Sequence, residues 1–114
     1  MQTPPDATST TSNHAIEERT AVLRLLVRNH PGVLSHVSGL FARRAFNVEG
    51  ILCLPMNDRT RSAILLLVHA DGRLEQLMRQ LAKLEDVLEV SPAPTGRRAF
   101  ETMARLVEGT TMVA

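Results

Sequence analysis

Between Thr20 and Val90 the spacing of apolar residues switches period four times, and no feature limits the possible folds more. Thr20 to Arg28 alternates, with Leu23, Leu25 and Val27 on one pleat face and Val22 and Leu26 among charges on the other, which predicts a strand. From Pro31 to Phe46, Val33, Val37, Leu40 and Phe41 follow helical spacing, with Arg43 and Arg44 at the negative end of the expected helix. Val48 to Met56 predicts a second strand ended by Pro55-Met56-Asn57-Asp58, and Arg61 to His69, with its run Ala-Ile-Leu-Leu-Leu-Val, a third. Asp71-Gly72 punctuates and can cap a second helix marked by Leu74, Leu77, Met78, Leu81 and Leu84. A short strand over Asp86 to Val90 completes the order βαββαβ.

That order predicts an α+β, ferredoxin-like sandwich, a four-stranded antiparallel sheet with both helices on one face. Strands one and three are apolar on both pleat faces, so a second face needs a cover that two helices cannot supply. Strand two, with Gly50-Ile-Leu-Cys-Leu, carries no inward charge to block edge pairing. A homodimer joined at its edges, with a larger partner over the sheet, would satisfy both.

At 114 residues the chain has room for one domain. Residues 1–18, rich in Thr, Ser, Pro and Asn, read as a disordered tail, 19–91 as the folded domain, and 92–114 as a linker with a possible short amphipathic segment at Phe100, Met103, Leu106 and Val107. A net charge of +1 offers no field to recruit nucleic acid or an anionic membrane. The longest apolar run, Ala63 to Val68, falls far short of the roughly 20 residues that span a bilayer. One cysteine, no apolar leader and no Arg-rich address point to the cytoplasm.

The junction Asn29-His-Pro-Gly-Val joins strand to helix where unpaired backbone N–H groups can meet a small anion. Two accounts stand for it. Asn29 or His30 caps the helix, Pro31 takes an early helical position and Gly32 eases the turn; or Gly32 lets a carboxylate approach the N–H groups of Gly32, Val33 and Leu34. Asn47 reads as a left-handed stop after the first helix. His14, His30, His36 and His69 have no metal-site spacing, and Cys53 between Leu52 and Leu54 reads as a small packing residue. No nucleophile, acid–base pair or paired carboxylates stand in a recognisable frame, which predicts a chain that is not an enzyme. Acylphosphatase loops and the Cys-x-x-Cys turn of metal chaperones are absent. With Phe41, Phe46 and Phe100 as the only aromatics, base stacking on the sheet is not expected.

Asn29-His-Pro-Gly-Val followed by Gly39-Leu-Phe-Ala-Arg-Arg-Ala-Phe-Asn-Val-Glu-Gly-Ile, with Leu74-Glu-Gln-Leu and Lys83-Leu-Glu-Asp-Val further on, resembles the ACT domain of the small regulatory subunit of acetolactate (acetohydroxyacid) synthase, in its short single-domain type. The resemblance implies a non-catalytic subunit that activates a large catalytic subunit and confers feedback inhibition by valine. Thiamine diphosphate, a divalent metal such as Mg and FAD would then belong to that partner, and none to this chain. It further implies that Asn29, Gly32, Val33 and Leu34 hold valine at the helix start, with Asn47 and Val48 contributed by a neighbouring protomer. The alternative is a free-standing ACT-type sensor of another amino acid, regulating a different enzyme or transcription factor.

Overall fold

The computed structural model describes residues 19–113, with side chains as far as Gly109. The tail expected over residues 1–18 lies outside them. Strands β1 (Thr20–Arg28), β2 (Val48–Pro55), β3 (Arg61–His69) and β4 (Val87–Pro92) alternate with helices α1 (Val33–Arg44) and α2 (Leu74–Ala82) in the order βαββαβ. The sheet runs β2-β3-β1-β4, all neighbours antiparallel, which leaves β2 and β4 as edges.

Register decides which face each residue serves. Leu23 and Leu25 of β1 stand opposite Leu66 and Ile64 of β3, and these four meet Val33, Val37, Leu40 and Phe41 of α1 and Leu77 and Leu81 of α2 in one core. Phe46 closes the core beside α1, its ring T-shaped to Phe41 at 6.3 Å, with the Arg73 guanidinium 4.3 Å from its centre. The Asp71 carboxylate accepts from the Arg73 backbone N–H at 2.8 Å and from its side chain at 3.1 Å, so Asp71 fixes the start of α2. These bonds, the backbone one first, hold the Asp71 carboxyl below its ordinary range.

Three expectations need correction. Strand β4 continues through Ser91 and Pro92, opposite Arg24 and Leu23, because a proline at the end of an edge strand forfeits no ladder bond. The stop after α1 is Ala45 (φ 57°), not Asn47. There the Phe46 N–H reaches back to the Phe41 carbonyl at 3.1 Å, and the chain must turn at 45 for the Phe46 ring to enter the core. Because a Cβ is disfavoured at that φ, Ala45→Gly is expected to stabilise the fold by about 0.5–1 kcal/mol, read from the midpoint of urea unfolding. A lower midpoint would contradict the left-handed stop.

The third correction concerns the outer face of the sheet. Past β4 the chain makes a 3-10 turn (Pro94–Gly96) and then a helix, α3 (Arg97–Val113), in place of a linker with a short segment. The turn folds back on the sheet, because a Cβ on Gly96 would meet Val22 at 3.0 Å and Leu65 at 3.5 Å. Arg97 donates to the Thr20 hydroxyl at 2.6 Å and to its carbonyl at 2.9 Å. The Phe100 ring lies over Gly50, where an added Cβ would come within 2.9 Å of it. So part of the cover expected from a larger partner comes from the chain itself. Leu54 stays 68% exposed beyond it, and Leu26 and Leu52 are half-buried.

Candidate functional site

The junction from β1 to α1 sits at one end of the sheet, beside the β2–β3 turn. Asn29 neither caps α1 nor stands idle. Its backbone N–H donates to the Thr60 carbonyl and its side-chain amide to the Arg59 carbonyl, both at 2.9 Å. This stitches the junction to the neighbouring turn, leaving the helix start to the backbone. Gly32 occupies the N-cap at φ 93°, a left-handed conformation that a Cβ disfavours, and nothing stands within 4 Å of where a Cβ would point. Glycine is therefore required here by the backbone angle, and the space above it is open to a ligand.

Val33 sends its side chain into the core while its N–H makes a long 3.4 Å contact with the His30 carbonyl. Leu34 leaves its side chain 40% exposed beside the turn. No acidic residue lies in the first turn of α1, and Arg43 and Arg44 occupy its last, so the charge distribution follows the helix dipole and leaves the positive end to attract an anion. Asn29, Gly32, Val33 and Leu34 thus share one corner.

Asn47 and Val48 do not share that corner. They open β2 at the opposite end of the sheet, where the Asn47 carbonyl accepts from the His69 N–H at 3.0 Å and Val48 pairs with Val68. The eight residues of β2 separate them from the β2–β3 turn, roughly 25 Å of extended chain. Within one chain the two halves of the expected site cannot meet. The edge between them is open, and Cys53, expected as a packing residue, is exposed on it because the helices do not cover that edge. Ile51, also on the helix side, is 36% exposed.

One pair at this corner has no local sequence signal. The His30 ring meets Asp86, which lies in the turn between α2 and β4, with Nε2 2.6 Å from Oδ2. Among the described residues no group of three His, Cys, Asp or Glu is placed to hold a metal, and no helix is long and apolar enough to cross a membrane.

Comparison with known proteins gives a consistent family. A family model described as an AHAS small subunit-like ACT domain matches residues 23–89. The chain is 58% identical over 83 residues to the acetolactate synthase isozyme 1 small subunit of Escherichia coli, covering 73% of this chain and 86% of that protein. It is 41% identical over 76 residues to the isozyme 3 small subunit of the same organism, spanning only 47% of that longer protein. Among solved structures, the acetolactate synthase small subunit of Thermotoga maritima superposes with a TM-score of 0.60 at 36% identity, over 65% of this chain and 47% of that one. The ACT domain of a Chlorobium tepidum GTP pyrophosphokinase, at 18% identity and a TM-score of 0.55, shares the fold alone.

Proposed function

Because the chain belongs to the family of ACT domains like that of the acetohydroxyacid synthase small subunit, we propose that it is the regulatory, non-catalytic subunit of an acetolactate synthase and that it senses valine. The observation that supports this reading is that the residues the resemblance names fall at the two ends of an open, apolar β2 edge. If β2 pairs antiparallel with β2 of a second copy, Asn47 of one chain runs toward Pro55 of the other, and so toward the β2–β3 turn to which Asn29 is stitched. The second copy's β2 then lies three strand spacings, about 14 Å, from β1. The second copy supplies what one chain lacks.

In that pair the valine carboxylate takes the N–H groups at Gly32, Val33 and Leu34, and its aliphatic side chain lies against Leu34. Asn47 and Val48 of the second copy close the pocket. Selectivity against leucine or isoleucine is then modest, since one methylene in an apolar pocket is worth about 1–3 kcal/mol. Occupancy favours one arrangement of the pair, and a coupling of about 1–3 kcal/mol is enough to bias a catalytic subunit between active and restrained states. Thiamine diphosphate, metal and FAD belong to that subunit, which carries the chemistry.

Tagged chain should co-purify with a thiamine-dependent synthase subunit, raise its acetolactate output and make it valine-sensitive, while producing no acetolactate alone. Capture of a different enzyme would favour the free-standing sensor. At the site itself, Asn29→Ala unpins the junction from the Arg59 carbonyl and is expected to weaken valine binding in calorimetry by about tenfold, with circular dichroism checking that the variant folds. Unchanged affinity would remove the site from this corner.

A further inference from the structure

We propose that His30 and Asp86 are positioning residues for the turn that opens α1, a clasp that holds the Pro31–Gly32 backbone in place only while the imidazole ring carries both of its protons. Both ring nitrogens of His30 face oxygen. Nε2 lies 2.6 Å from Asp86 Oδ2, and Nδ1 lies 2.5 Å from the Pro31 carbonyl. A neutral ring has one N–H and must turn a lone pair toward one of these acceptors, whereas the imidazolium donates to both. Only the doubly protonated ring satisfies both contacts at once.

The two ends of the clasp differ in freedom. The Asp86 side chain is 10% exposed, and its backbone carbonyl is pinned by the Arg28 N–H at 2.9 Å, so the carboxylate is anchored to β1 and to the α2–β4 turn. The His30 side chain is 42% exposed and belongs to the turn itself, so the turn is the partner that moves when the clasp opens. Pro31, whose carbonyl accepts from the ring, immediately precedes the left-handed Gly32, so the bond bears directly on the backbone that aims the Gly32, Val33 and Leu34 amides.

The groups facing the ring from neighbouring elements set its proton affinity. Asp86 and Glu85 come from the α2–β4 turn, and His36 comes from α1 with Nδ1 3.6 Å from the same Asp86 oxygen. Arg28 of β1 and Arg59 of the β2–β3 turn approach through backbone atoms, onto Asp86 and Asn29. The Asp86 bond first, then the Pro31 carbonyl, hold the His30 pKa above the ordinary histidine value, against a smaller opposing effect of desolvation. A raised folded pKa means that the clasp's contribution is complete below the ordinary histidine range and is lost as pH rises through the raised value.

An imidazolium beside a helix start also favours an anion there. The consequence for valine rests on the proposed site, and the clasp itself does not. The test follows the His30 ring and the Gly32, Val33 and Leu34 backbone amides by NMR through a pH titration of the full chain, in wild type, Asp86→Asn and His30→Gln. Valine affinity is measured by calorimetry on either side of the midpoint. His30 is expected to titrate above the ordinary value with the three amides following the same midpoint. Asp86→Asn lowers the midpoint, and His30→Gln, at an exposed position, removes the response.

Wild-type affinity for valine should fall about twofold to fivefold on the alkaline side, and the His30→Gln variant should show no such step. Ordinary titration of His30 with indifferent amides would overturn the clasp. So would an Asp86→Asn variant that loses stability equally at every pH without moving the His30 midpoint. Amides that follow His30 in a chain that binds no valine at any pH would support the clasp and sink the site reading instead.

Discussion

If two copies join through β2 as proposed, Cys53→Lys is expected to give a folded chain that stays monomeric and that does not bind valine. Position 53 lies near the middle of β2, with Ile64 of β3 opposite on one side and the open edge on the other. In an antiparallel pair related by a two-fold axis each copy brings the added ammonium to the joined edge, so pairing has to desolvate two charges. Edge lysines block strand pairing in this way. Since Cys53 is exposed, the substitution removes no core contact from the single chain. Sedimentation velocity and calorimetry read the two effects together. A variant that remains dimeric and binds valine as before would place the interface elsewhere and end the argument for a shared site.

The largest loss of stability is expected from Leu25→Ala, about 3–5 kcal/mol by urea unfolding. Leu25 is fully buried on β1, a strand bonded on both sides, opposite Ile64 of β3 and Val90 of β4. Its side chain belongs to the core that α1 and α2 share with the sheet, and secondary structure on both flanks keeps the cavity from closing. Set against the 5–15 kcal/mol typical of a whole domain, such a loss takes a large share of the fold's stability. A cost below about 1 kcal/mol would mean that the two layers are not packed on β1 as described.

The periodicity of the chain made most of the fold legible. Alternation at Leu23, Leu25 and Val27, and helical spacing at Val33, Val37, Leu40 and Phe41, each name residues that do enter the core. The doubly apolar strands also announce a second covered face without saying what covers it. Part of it comes from Gly96 and Phe100, beyond a Pro-Ala-Pro-Thr-Gly stretch whose composition reads as a linker. A proline-rich sequence excludes continued pairing without saying which way the chain turns next.

The corner at Asn29 was legible in part. Its residue types and the Pro-Gly turn mark a helix start. The bond from Asn29 to Arg59 spans thirty positions, and that from His30 to Asp86 still more, so no local pattern carries either. Ala45 shows the opposite failure. Local preference favoured Asn47 for the left-handed stop, and the demand of Phe46 for the core placed the stop two residues earlier on a residue poorly suited to it.

Gly50 and Phe100 have one further consequence. The ring fills the space where a side chain on 50 would stand, so the two positions are not free to vary separately. A methyl group gained at the strand calls for a smaller neighbour at the helix, or else the C-terminal segment lifts away and uncovers the leucines beneath. A side chain at 50 and the ring at 100 compete for one space on the outer surface of strand two, and a smaller residue at 100 leaves that surface available to another protein.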